Sequence, residues 1–93
     1  MTQTMTATEI QSEAVTQRLR AVVAEVLGAD PREITDEASQ LTLPEWTSLG
    51  HLTLMAAVEG LFGLRFTMEE MTSATDFPRL RQLVERHLAA SRG

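Results

Sequence analysis

The chain contains no cysteine, no tyrosine and no lysine, and only four of its 93 residues are aromatic. Without cysteine there is no disulfide framework, no thiol nucleophile and no zinc–thiolate site. So few aromatic side chains leave a core to be built from aliphatic helix faces, and Leu, Val, Ala and Met are correspondingly frequent. All eight basic residues are arginine; set against thirteen acids they give a formal net charge of −5. That balance excludes nucleic acid as a partner, because neutralising phosphates needs a basic face. A basic protein surface is the natural counterpart. No apolar run approaches the ~20 residues that cross a bilayer, and residues 1–8 lack the charged start and apolar centre of a signal peptide. A cytoplasmic location with no membrane partner is expected.

What is present suits one small folded domain. The hydrophobic fraction is 43%, above what a disordered chain carries. A chain of this size buries only about 60% of its unfolded surface, so its stability is modest. Residues 1–8 read as a disordered N-terminal tail and residues 9–90 as the domain. Thr8, with Gln11 three residues on, reads as a capping box. It opens a helix of about 18 residues whose stripe is Val15, Leu19, Val22, Val23, Val26 and Leu27. Gly28 ends it, and Asp30-Pro31 prevents resumption.

Residues 29–47 form a long connection, which a compact domain tolerates only when anchored; Ile34, Leu41 and Leu43 are the expected anchors. A second helix begins at Ser48, turns Leu54, Val58 and Phe62 inward with Leu49, Met55 and Leu61 beside them, and stops at Gly63. Thr67 and Glu70 form a capping-box pair around a turn or two of helix. Thr75 or Asp76 caps a last helix with Pro78 in its first turn and Phe77, Leu80, Leu83, Val84, His87 and Leu88 buried. No strand pattern or repeat is visible. The expectation is an all-α four-helix bundle: three long helices, a short third one and a long first loop.

The segment Trp46-Thr47-Ser48-Leu49 is the most informative stretch of the chain. On position alone Ser48 is the N-cap of its helix. The same helix end offers unpaired backbone N–H groups and a partial positive charge, which also suit an attached phosphodiester. A Ser48–His51–acid hydrolase triad has no support beyond residue types, since the glycine-rich elbow of such sites is missing.

The order of long helix, long loop, Ser-Leu opening an apolar helix, short helix and final helix resembles the acyl and peptidyl carrier proteins. The resemblance spans about residues 9–90. The stretch from Leu49 to Phe66 is similar to that family's second helix and its closing segment, and Leu27-Gly28 followed by Ile34 to the end of its first helix and loop anchor. The resemblance implies an acyl-carrier-protein-like helical bundle that is not an enzyme. Ser48 would carry covalent 4′-phosphopantetheine, whose thiol supplies the sulfur this chain lacks. It implies a free-standing, monomeric carrier of an acyl or aminoacyl thioester. Its partners would be a phosphopantetheinyl transferase, an acyl- or aminoacyl-loading ligase and a downstream transferase or synthase.

Two features depart from the family pattern. Thr47 stands where aspartate usually precedes the serine. The second-helix positions that are often acidic are Gly50, His51, Thr53 and Gly60, so only Glu59 is charged there, while Glu45, Glu69, Glu70 and Asp76 move the negative patch to the loop and third helix. This points to a dedicated pathway, secondary-metabolic or aminoacyl-transferring, rather than housekeeping lipid synthesis. Partner recognition is assigned to Trp46, Thr47, Leu49, His51, Leu52, Glu59, Glu69 and Glu70. Of these, Trp46 is expected to pack over the mouth of the bundle and His51 to be solvent-exposed. His87 reads as a boundary residue and Met55, Met68 and Met71 as core filling. Asp36-Glu37 and Glu69-Glu70 are too sparse for a metal site and read as solvated faces. The alternative is a carrier-like fold that is never modified and acts as an interaction or scaffold module.

Overall fold

A computed structural model describes residues 7–92. Four α-helices run in order α1 (Ala7–Leu27), α2 (Ser48–Phe62), α3 (Met68–Ser73) and α4 (Phe77–Arg92), with one 3₁₀ turn at Pro31–Glu33 after α1. Among the described residues there is no strand, only an isolated bridge between Ser39 and Asp76, and no helix is long and apolar enough to cross a membrane. The architecture is the helical bundle expected.

Helix ends follow local chemistry. Gly28 and Gly63 take φ values of 69° and 67°, a left-handed turn that glycine adopts without steric penalty. Beyond each glycine the chain turns back onto the helix: the Ala29 N–H donates to Ala24 O and the Leu64 N–H to Glu59 O. Thr67 and Glu70 form the full reciprocal box at the start of α3. Asp76 caps α4, its Oδ1 accepting from the Arg79 N–H at 2.8 Å. At the other end of the chain α1 already includes Ala7 and Thr8, so Thr8 lies inside the helix rather than at its cap. The expected tail otherwise falls on residues 1–6, outside the described part.

One core joins the helices. Leu19, Val23 and Leu27 come from one face of α1, Leu54, Met55 and Val58 from α2, and Phe77, Leu80, Leu83 and Val84 from α4. Spacings of three and four residues put each set on one stripe. Val15, Val22, Val26, Phe62 and Leu88 line its margin. Phe77 sits beneath two guanidinium groups, those of Arg20 and Arg81, at 5.8 and 5.9 Å from its ring centre.

The long loop is held as the length argument requires, but not by all three expected anchors. Ile34 and Leu43 are buried together with Ala38 and Trp46, whereas Leu41 is 97% exposed. The reason is local: the N–H groups of Thr42 and Leu43 both donate to Ser39 O. This tight turn points Leu43 inward and leaves Leu41 at its outer apex. Arg20 Nε donates to Ile34 O at 2.9 Å. Two further backbone bonds, Gln40 N–H to Thr75 O and Phe77 N–H to Ala38 O, tie the loop to the α3–α4 connection.

This assignment of anchors is measurable. Ile34→Ala is expected to lower unfolding free energy by about 2–5 kcal/mol, and Leu41→Ala to stay within about 0.5 kcal/mol of the parent, in urea unfolding of the two variants. Equal losses at both positions would contradict the loop described.

Candidate functional site

The candidate site is the N-terminal end of α2, and its first residues divide two tasks that sequence reasoning had given to one. Trp46 N–H donates to Leu43 O, closing the turn across Pro44. Thr47 then takes an extended backbone (φ −84°, ψ 171°), and its Oγ1 accepts from the Gly50 N–H at 3.0 Å. Thr47, not Ser48, is therefore the N-cap. A cap must stand in the β region with its oxygen three residues from the donor, and Thr47 meets both conditions. Ser48 is the first residue inside the helix and is exposed. Its hydroxyl is released from capping, and it stands where helix N–H groups precede the first ladder bond, His51 N–H to Thr47 O.

Gly50 closes this arc from beneath. A Cβ there would lie 3.1 Å from Thr47 Oγ1, 3.2 Å from Leu27 Cδ2 and 3.3 Å from Glu45 O. A side chain at this position would press on the cap, the end of α1 and the loop, so glycine suits the close approach of the first turn of α2. Gly50, one of the positions often acidic in carriers, serves close packing here.

Trp46 packs inward as expected, whereas His51 departs from expectation. Trp46 is 2% exposed and His51 6%, so neither presents a surface to a partner, and His51 is not the solvent-exposed residue expected. The indole N–H of Trp46 donates to His51 Nδ1 at 3.0 Å, and His51 Nε2 lies 2.6 Å from Met71 O. An indole nitrogen only donates and a carbonyl only accepts, so His51 must be neutral with its proton on Nε2. The contact satisfies one of the carbonyls that the end of α3 leaves unpaired. A buried indole needs an acceptor for its N–H, and that need draws His51 inside.

The remaining candidates separate into exposed and occupied groups. Leu49 and Leu52 are exposed, at 75% and 58%, on the solvent side of α2 beside Ser48. Glu69 is exposed. Glu59 is half-buried, its Oε2 accepting from the Phe66 N–H at 2.8 Å. Glu70 accepts from the Thr67 N–H at 2.9 Å and lies 3.0 Å from His87 Nε2. The Thr67 N–H first, and the bond to His87 second, hold the Glu70 carboxyl below the usual glutamate range. His87 is half-buried with its ring edge against Phe66, centroids 5.0 Å apart. Of the three methionines, Met55 is in the core, Met71 at its margin, and Met68 is exposed.

An exposed serine opens α2 of this small acidic bundle, and comparison with known proteins identifies the family. Residues 17–86 match the family described as "Phosphopantetheine attachment site". The chain belongs to the phosphopantetheine-binding carrier family. It is 32% identical over 76 residues to "Polyketide-8 synthase acyl carrier protein 2" of Streptomyces avermitilis, covering 82% of this chain and 87% of that relative. Carriers of this family are not catalysts. They hold 4′-phosphopantetheine covalently on a serine, tether thioesters on it, and interact with phosphopantetheinyl transferases and with synthases or ligases. The helix end fits such a group: it has an exposed hydroxyl and a cap supplied by a neighbour.

Two outcomes test this reading of the carrier. Thr47→Ala should destabilise by about 1 kcal/mol, Thr47→Asp should hold or gain stability because a carboxylate suits a helix N-terminus, and Ser48→Ala should be nearly neutral. Thermal unfolding of the three variants would contradict the cap assignment if Ser48→Ala proved the most damaging. For Glu70, a carboxyl lowered on folding stabilises above the unfolded glutamate pKa and loses that contribution as pH falls through the folded value. The stability gap between the parent and Glu70→Gln should therefore be largest near neutrality and close in acid, as followed by urea midpoints across pH.

Proposed function

We propose that Ser48 carries the 4′-phosphopantetheine arm and that this carrier presents an acyl or aminoacyl thioester to successive enzymes of a dedicated biosynthetic pathway. The observation that carries the proposal is the division of labour at the start of α2: Thr47 caps the helix, and Ser48 is exposed as its first residue. In the loading reaction a bond forms between Ser48 Oγ and the phosphorus bearing the pantetheine arm of coenzyme A. The diphosphate linkage breaks, adenosine 3′,5′-bisphosphate leaves, and the hydroxyl proton passes to the transferase or to water. Once attached, the arm supplies a terminal thiol for thioester formation. The chain's own contribution is to hold the attachment point at a rigid helix end and to raise the effective concentration of cargo near each partner.

The pathway assignment rests on the face that partners meet. The first turn of α2 carries no acid, and its Glu59 is engaged by the Phe66 N–H. A partner that grips acidic residues on this helix finds little to hold, which favours enzymes matched to this carrier alone. The likeness to a carrier named for a polyketide synthase supports secondary metabolism as the setting. The loading enzyme in this reading is an acyl- or aminoacyl-activating ligase, and the acceptor a transferase or synthase.

Incubation with coenzyme A and a broad-specificity phosphopantetheinyl transferase should add the mass of one phosphopantetheine group to the parent chain and none to Ser48→Ala. A chain that takes up no group, from this enzyme or from the transferases of its native host, would instead fit an unmodified interaction module.

A further inference from the structure

The observation not absorbed by the carrier role is a buried polar chain wrapped around an exposed serine. Trp46 lies two residues before Ser48 and His51 three after it, and their side chains meet beneath the backbone that carries it. Both are buried while residues 47–49 between them are exposed. The rings lie nearly parallel, 28° apart with centroids at 6.1 Å. Burying two polar rings against each other is less favourable than burying two apolar ones unless every nitrogen is satisfied. Here every one is: the indole donates to Nδ1, and Nε2–H donates to Met71 O. An apolar pair would fill the same volume without fixing direction. The hydrogen-bonded pair holds the ends of the 46–51 arc at one separation and joins that arc to α3. The Thr47 cap and the close approach of Gly50 act on the same arc.

We propose that Trp46 and His51 are positioning residues for modification of Ser48: their hydrogen-bonded clasp holds the exposed serine in the one backbone geometry from which its hydroxyl reaches the transferring phosphorus. This rests on Ser48 being the attachment site. Both clasp residues are buried, at 2% and 6% exposure, beneath the surface that Ser48 presents. The clasp acts through the backbone, so it governs the rate of transfer within the complex more than formation of the complex, and it leaves the exposed Leu49 and Leu52 unchanged.

The experiment uses the full chain, saturating coenzyme A, a broad-specificity phosphopantetheinyl transferase and a varied carrier concentration. Trp46→Phe removes the indole donor but keeps an aromatic ring; His51→Leu removes both ring nitrogens and keeps apolar volume; Leu41→Ala is the exposed-loop control. The proposal expects kcat to fall about ten- to hundredfold, the penalty of a misplacement near 1 Å, in both clasp variants, with KM little changed and Leu41→Ala like the parent. It is overturned if folded Trp46→Phe and His51→Leu are modified at the parental kcat, or if their loss only tracks the fraction unfolded. Should both variants fail to fold, nitrogen-15 spectra of the parent decide. The proposal then requires an unprotonated His51 Nδ1 accepting from the Trp46 Nε1–H before and after modification; a protonated Nδ1, or an indole N–H exchanging as fast as an exposed one, overturns it. A parent chain that takes up no phosphopantetheine defeats the Ser48 assignment itself and this proposal with it. A modified parent with unaffected variants defeats the positioning role alone.

Discussion

A buried indole cannot leave its N–H unpaired, and much of the site follows from how this chain meets that requirement. Trp46 is the largest fully buried side chain and the only tryptophan. Its acceptor is an imidazole one turn into the next helix, and the imidazole in turn satisfies a carbonyl of α3. Three segments that share no regular secondary structure are thereby joined: the end of the long loop, the start of α2 and the short α3. With the loop's two backbone bonds to the α3–α4 connection, this compensates for the scarcity of aromatic mass in a small core.

The functional consequence is a separation of roles along six residues. Trp46 and His51 hold the arc from inside, Thr47 closes the helix end, Gly50 allows close packing, and Ser48 and Leu49 face out. Under the proposed role of Ser48, this arrangement leaves mobility to the attached arm and keeps the attachment point the same for every enzyme that visits. Charge is distributed accordingly. Glu59 and Glu70 accept backbone N–H bonds at helix ends, so part of the negative charge is structural, and the solvent side of α2 next to the serine offers Leu49 and Leu52.

Much of this was legible because it was local. The left-handed stops at Gly28 and Gly63, the reciprocal Thr67–Glu70 box and the opening of α2 at Ser48 are each set by a few neighbouring residues, and the order of elements sufficed to identify the family. What escaped depended on contacts far along the chain or on small geometric margins. Leu41 and Leu43 look equivalent in sequence, and only the turn at Ser39 decides which enters the core. Thr47 and Ser48 are both able caps, and the choice rests on one residue of register. His51 is polar on a helix face that looked exposed; its burial requires knowing that Trp46 lies inside and needs an acceptor. The spacing of five residues between an indole and an imidazole is the signal that could have shown it.

The central claim is that Ser48 is where the pantetheine arm is joined, and it is tested most directly by fragment mass spectrometry of this protein isolated from its native host. The account predicts that the peptide containing Trp46-Thr47-Ser48-Leu49 carries a phosphopantetheine group that is released on fragmentation and localises to Ser48. The same peptide found wholly unmodified, or the group localised to any other residue, would contradict it.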